Sequence, residues 1–189
     1  MTMRHKIVDT LLQIVDNDTY FLTADVGFGV LEPLRENMGD NFINVGLAEQ
    51  SMIGIASGLA LSGKKVYTYT MSCFYLRALE QIKLDLCYQN VPVTLLSVGT
   101  QFDYQHLGNT HFAFDDDKVI SQLLNIDVFT PKTQLELDTV LRQKVTRPLY
   151  LRVGGYEENL DVELDWEKLK IYPTEGGSRA YFINKFGKK

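Results

Sequence analysis

The residues best suited to chemistry are an acid, an aromatic, an arginine and two histidines, each placed just after a run of strand-forming residues. Glu49 lies in "NVGLAEQSMIGIASGLALSG", where a strand gives way to a helix rich in glycine and alanine. A carboxylate in a first helical turn complements the helix dipole, a contribution of about 0.3–1 kcal/mol. The small neighbours also let another surface come close, so the same acid could be held in a dry site. Position alone leaves both readings open. Phe74 and Arg77, in "YTMSCFYLRALEQIK", offer an aromatic face and a cation to a planar ligand, or else simple core packing and a solvated helix face. "YQHLGNTHFAFDDD" carries Tyr104, His106 and His111 in a long glycine-containing loop, and long loops at a sheet's edge are commonly functional. A histidine there can hydrogen-bond a sugar hydroxyl or pass a proton near neutral pH.

Other candidates are weaker. Gly27-Phe28-Gly29 follows a strand as a dinucleotide fingerprint does, but Glu32 stands where the third glycine belongs, so a tight strand-to-helix turn is the better reading. "GDN" at residues 39–41 resembles the start of a magnesium-diphosphate motif without the glycine that should follow the aspartate. Cys73 and Cys87 lie in segments that read as buried helix, with no second cysteine or histidine at metal-ligand spacing, and are expected to be reduced structural thiols. The histidines, His5, His106 and His111, are too scattered for a metal cluster, so no metal site is expected in this chain.

The elements that must position these groups follow from hydrophobic periodicity. "RHKIVDTLLQIVDND" sets Ile7, Leu11, Leu12 and Val15 at helical spacing, and "YFLTADV" reads as a buried strand. A helix over residues 31–38 with Pro33 in its first turn, the strand "FINVG", a helix over 47–61 ended by Gly63, and the strand "KKVYTYT" come next. "FYLRALEQIKLDLCYQ" predicts one long amphipathic helix, and "VPVTLLSVG" a strand apolar on both faces. After an irregular stretch over 100–116 come a helix around 118–124, the strand "DVFTP", the helix "TQLELDTVLRQKV" and the strand "PLYLRV". Six strands alternating with helices predict an α/β fold, a three-layer doubly wound and mostly parallel sheet. Ligands of such sheets gather at the carboxyl ends of the strands, where Asp25, Glu49, Ser72 and the loop over 103–111 fall.

The 189 residues allow one sizeable domain, placed at residues 1–155, followed by a polar, turn-rich tail or arm over 156–189 with Trp166 and one possible strand at 179–186. A formal net charge of −5 gives no basic field for a phosphate backbone or an anionic membrane, so neither nucleic acid nor membrane is an expected partner. The start "MTMRHKIVDT" lacks the apolar core of a signal peptide, and no apolar run approaches the roughly 20 residues that span a bilayer; the chain reads as cytoplasmic.

Taken in order, "FLTADVGFG", "FINVGLAEQSMIGIASGLALSGKKVYTYTMSCFYLRALEQIK", "LGNTHFAFDD", "VFTP" and "PLYLRVGG" resemble the pyrimidine-binding domain of transketolase-like, thiamine diphosphate-dependent enzymes. The resemblance runs over about residues 4–155. Nearest in pattern are separately encoded carboxy-terminal transketolase subunits, with deoxyxylulose-phosphate synthase a step further away. It implies that Glu49 hydrogen-bonds a ring nitrogen of the cofactor's aminopyrimidine and favours the imino tautomer, whose exocyclic nitrogen then takes the thiazolium proton. It further implies that Phe74 stacks on the pyrimidine, that Asp25 approaches the cofactor pocket, and that Arg77 lies near the phosphate end of a sugar substrate. His111, in "GNTH", is implied as a catalytic and substrate-contacting histidine, and His106 as a second substrate contact. Asn109, Phe112 and Leu107 depart from the family pattern, which sets substrate recognition apart and weakens the synthase reading. The family's diphosphate-binding domain and third domain have no counterpart in the sequence. The resemblance therefore implies a split enzyme that transfers a two-carbon ketol unit between sugars. A separate diphosphate-binding chain would hold the diphosphate end of thiamine diphosphate and the magnesium, with two of each chain in the assembly. A decarboxylating carboligase that uses pyruvate, and a non-catalytic binding or regulatory module, are the alternatives.

Overall fold

Six strands set the frame of the computed structural model, which describes residues 2–155. They are β1 (Thr19–Thr23), β2 (Phe42–Asn44), β3 (Lys65–Met71), β4 (Val93–Val98), β5 (Asp127–Phe129) and β6 (Leu149–Val153). All pair in parallel, in the order β2-β1-β3-β4-β6-β5. The helices are α1 (Met3–Ile14), α2 (Glu32–Met38), α3 (Glu49–Leu61), α4 (Ser72–Tyr75), α5 (Leu79–Gln81), α6 (Asp116–Ile120) and α7 (Gln134–Arg142).

Both faces of the sheet are apolar because successive strand side chains point to opposite sides. Phe21, Leu96 and Leu151 pack on one face with Ile7 and Leu11 of α1, Leu34 of α2 and Leu137 of α7. Their neighbours Leu22, Leu95 and Tyr150 pack on the other face with Met52, Ile53 and Ala56 of α3 and with Ile82 and Leu86. Each such side chain stabilises the fold by about 1.5–3 kcal/mol relative to exposure. The start of α7 is fixed by a capping box, in which Thr133 accepts from the Glu136 backbone and Glu136 reaches back to the Thr133 backbone.

Two elements differ from the sequence expectation. The single helix expected over 74–89 is instead α4, a 3₁₀ turn at Leu76–Ala78, α5 and a π-helical segment at Ile82–Cys87. Tyr75 explains the early start: its hydroxyl lies 2.9 Å from Thr68 Oγ1 and donates to the Leu96 carbonyl, which pins the first turn against the sheet. Re-winding then brings Ala78, Ile82, Leu86 and Cys87 to full burial in one core. The helix expected around 118–124 begins earlier and ends at Ile120, because Asp116 is drawn into an ion pair with Arg152 and Asn125 turns the chain at a φ of 59° into β5.

The predicted tail over 156–189, with its possible strand, lies outside the described residues. Among the described residues no helix is long and apolar enough to cross a membrane, and no group of three or more His, Cys, Asp or Glu could hold a metal ion. The strand order reverses between β1 and β3, which makes the carboxyl ends of these two strands the topological switch point.

Candidate active site

The loop that launches α3 is stitched to the end of β1 by Asn44. Its Oδ1 accepts from the backbone N–H of Asp25 and of Gly46, each at 3.0 Å, and its Nδ2 donates to Asp25 Oδ1 at 3.0 Å. Asp25 adopts a left-handed φ of 55° and Gly46 a φ of 73°, and this sharp turn, unstrained for glycine, carries the chain into the helix. Glu49 is the first residue of α3, with 4% of its surface exposed. Its Oε2 lies 3.9 Å from Arg77 Nη1, whereas its Oε1 is buried without a hydrogen-bond partner among the described residues.

Phe74 sits on α4, whose first residue, Ser72, is fully buried at the end of β3. The Arg77 guanidinium lies over the Phe74 ring at 5.0 Å, a cation–π contact of about 0.5–1 kcal/mol at an exposed site. The His111 ring meets Phe74 edge-on, with centroids 5.3 Å apart. His111 Nδ1 is 2.9 Å from Thr110 Oγ1, which leaves Nε2 to meet a ligand. Glu49, Arg77, Phe74 and His111 thus form one contiguous group drawn from three separate segments.

The structure does not bring the other two candidates into that group. Asp25 is exposed, and its carboxylate is engaged by Asn44, so it shapes the turn before Glu49. His106 is exposed in a 3₁₀ turn, with the Tyr104 ring 6.4 Å away. The loop that carries it is anchored elsewhere: Asp103 Oδ2 accepts from the backbone N–H groups of Thr100 and Gly155, and Arg4 donates to the Tyr104 hydroxyl at 3.1 Å. The Tyr104 ring lies against Gly99, where φ is 85° and a Cβ would collide with the ring.

Cys73 stands among the same charges. Burial pushes its thiol up to about 11, and that of Cys87 up to about 12, which favours the protonated form near neutral pH. Sequence reasoning missed two positioning elements. Asn44 gave no signal beyond its place before a glycine, but Arg152 could have been noticed, since an arginine in an otherwise apolar inner strand demands a buried partner.

A buried carboxylate with one oxygen unpartnered among the described residues, linked through Arg77 to an aromatic ring at the carboxyl ends of a doubly wound parallel sheet, is an arrangement suited to a ligand. These groups fit a flat, nitrogen-containing ring: a carboxylate oxygen without a hydrogen-bond partner among the described residues, near an aromatic ring. The family model described as "Transketolase, pyrimidine binding domain" matches residues 2–154, and the chain belongs to that family. It is 36% identical over 130 residues to one of the subunits of apulose-4-phosphate transketolase from Actinobacillus succinogenes, an overlap of 67% of this chain and 42% of that one. It is 34% identical over 157 residues to the corresponding apulose-4-phosphate transketolase chain of Phocaeicola vulgatus, covering 80% of this chain and 50% of that one. The chain therefore spans about half the length of these curated relatives or less. A solved structure titled "Split gene transketolase, inactive beta4 tetramer" superposes with a TM-score of 0.74 at 22% identity, over 87% of this chain and 56% of that one, and shares its fold.

Proposed function

We propose that this chain is the pyrimidine-binding subunit of a split, thiamine diphosphate-dependent transferase that moves a two-carbon ketol unit between sugars. A separate chain holds the diphosphate and the magnesium ion, with two of each chain in the assembly, and the pair works in carbohydrate metabolism in the cytoplasm, where the free thiols Cys73 and Cys87 stay reduced. The observation that carries this reading is Glu49 Oε1, a buried carboxylate oxygen without a partner among the described residues. Such an atom costs about 1–3 kcal/mol unless a ligand satisfies it, and a hydrogen bond to a charged group returns about 1.5–3 kcal/mol.

Thiamine diphosphate, when bound, supplies the nucleophilic carbon that adds to a ketose carbonyl and stores the two-carbon unit. The work of this chain is to hold and orient. Glu49 Oε1 would hydrogen-bond a pyrimidine ring nitrogen and favour the imino tautomer, whose ring N–H donates to the carboxylate, and α3 keeps that carboxylate rigid and dry. Phe74 presents its ring to the pyrimidine. His111 offers Nε2 to a sugar hydroxyl, as hydrogen-bond partner or proton acceptor. Arg77, with a side chain 62% exposed, supplies a positive charge for a substrate phosphate. The relatives named for apulose-4-phosphate support a sugar phosphate as the substrate.

The test is to mix the chain with a diphosphate-binding transketolase chain, thiamine diphosphate and magnesium, and to measure cofactor binding by calorimetry and ketol transfer by product analysis. Binding only in the mixture supports the proposal. Glu49→Gln is expected to assemble normally and to lose turnover; unchanged turnover overturns the assignment. Carbon dioxide released from pyruvate would move the reading to a carboligase, and no cofactor binding with any such partner would leave a non-catalytic module.

A further inference from the structure

Beneath the Phe74 and His111 contact runs a buried polar chain that the site itself does not use. Arg152, the fourth residue of β6, donates from Nε to Asp116 Oδ2 at 2.8 Å and from Nη2 to Asp116 Oδ1 at 3.0 Å. The same Nη2 donates to the Ala113 carbonyl at 2.8 Å. Tyr150 donates to Asp116 Oδ2 at 2.9 Å, and Ser97 Oγ lies 2.6 Å from both the Tyr150 hydroxyl and Ser72 Oγ. Asp116, Tyr150, Ser97 and Ser72 are all at 0% exposure, and Arg152 is at 7%.

Stability alone does not account for this arrangement. A buried ion pair roughly breaks even against apolar residues of the same volume, because two charges must first lose their water. What the chain does have is two informative ends. Ser72 precedes Phe74 by two residues on the opening of α4, and Ala113 follows His111 by two residues, where it is also bridged to Gln101. Asp116 is the carboxylate that joins them, and it satisfies both oxygens in doing so. Its neighbours in sequence make no hydrogen bond to Arg152 or Tyr150 among the described residues: Asp115 is exposed, and Asp117, though close enough to act on Arg152 through its charge, accepts from the Lys118 backbone.

We propose that Asp116 is a positioning residue that holds the His111 loop against the Phe74 turn, and so sets the edge contact between their rings. On the functional reading above, that contact is the wall where pyrimidine and sugar meet. Arg152 carries the restraint to the Ala113 carbonyl, and Tyr150 carries it through Ser97 to Ser72.

The experiment uses the 189-residue chain with labelled histidine and phenylalanine, read by nuclear magnetic resonance. Wild type is expected to show a cross-relaxation peak between the Phe74 and His111 rings. His5, on α1, serves as the internal control of folding. Asp116→Asn is expected to keep the His5 signals and a cooperative melt, to lose the Phe74–His111 peak, and to broaden the His111 signals. Tyr150→Phe, a milder change that spares the ion pair, is expected to weaken the same peak. A folded Asp116→Asn protein with an undiminished peak overturns the proposal, as does a wild type without one. Should Asp116→Asn fail to fold, Tyr150→Phe decides: a peak of full strength overturns the proposal and a weakened one supports it. None of these readings needs the cofactor. Loss of the peak in Asp116→Asn, together with no thiamine diphosphate binding by wild type in any mixture with a diphosphate-binding chain, would end the functional reading and leave the positioning role standing.

Discussion

Replacing Glu49 by methionine should stabilise the isolated chain while removing its chemistry. The buried, unpartnered Oε1 costs about 1–3 kcal/mol in desolvation that nothing in the described residues offsets. Two favourable terms are lost with it. The Arg77 pair, at 3.9 Å with an exposed guanidinium, contributes at most about 1 kcal/mol. An acid in the first turn of α3 contributes a further 0.3–1 kcal/mol or so. Methionine is unbranched, of similar length and free of polar atoms, so it fills the site without new strain. The terms leave Glu49→Met more stable by about 1 kcal/mol, a rise of about 2–4 °C in melting temperature for a chain of this size. Urea unfolding and thermal melting of the isolated chain measure this, with ketol transfer in the reconstituted complex measured alongside. The expected pair of results is a higher midpoint and no turnover, the trade-off of a site kept under-satisfied for its ligand. A midpoint lowered by more than about 1 kcal/mol would refute the reasoning, since it would mean that both carboxylate oxygens already stabilise the fold.

Two other outcomes follow from the structure. Gly99→Ala forces a Cβ into the Tyr104 ring at a φ of 85°, so the melting temperature should fall by an amount corresponding to about 1–3 kcal/mol; an unchanged melt would mean that Tyr104 does not pack there. The Asp138 carboxyl is held well below the usual range by hydrogen bonds from Arg142, Thr10 and Lys6. Its contribution is therefore complete above the unfolded carboxylate value of about 3.9 and is lost as the pH falls below it. Asp138→Asn should be less stable than wild type near neutral pH, and the gap should close under acid in a pH series of urea melts.

Much of the architecture was legible because burial imposes periodicity. An inner parallel strand must be apolar on both faces, so "VPVTLLSVG" and "PLYLRV" stood out, and the helix over 47–61 was marked by its small residues and Gly63. The break in the helix expected over 74–89 was not legible. It depends on where the Tyr75 hydroxyl finds Thr68 and Leu96, and a residue's distance along the chain says nothing of partners on neighbouring strands.

The candidate site divides in the same way. The sequence alone determined that an acid, an aromatic, an arginine and histidines follow strands, and hence that they share the carboxyl edge of the sheet. Only the tertiary structure decided which of them meet. It separated His111, against Phe74, from His106, five residues away and exposed, and it turned Asp25 toward Asn44 rather than toward the Glu49 group. It also chose Asp116 from three consecutive aspartates by setting β6 beside β4, with Arg152 in register with Ser97. The physical reason is range: hydrophobic periodicity is a local property of the chain, whereas hydrogen bonds and ion pairs form only within a few ångströms, and strand register alone brings such residues that close.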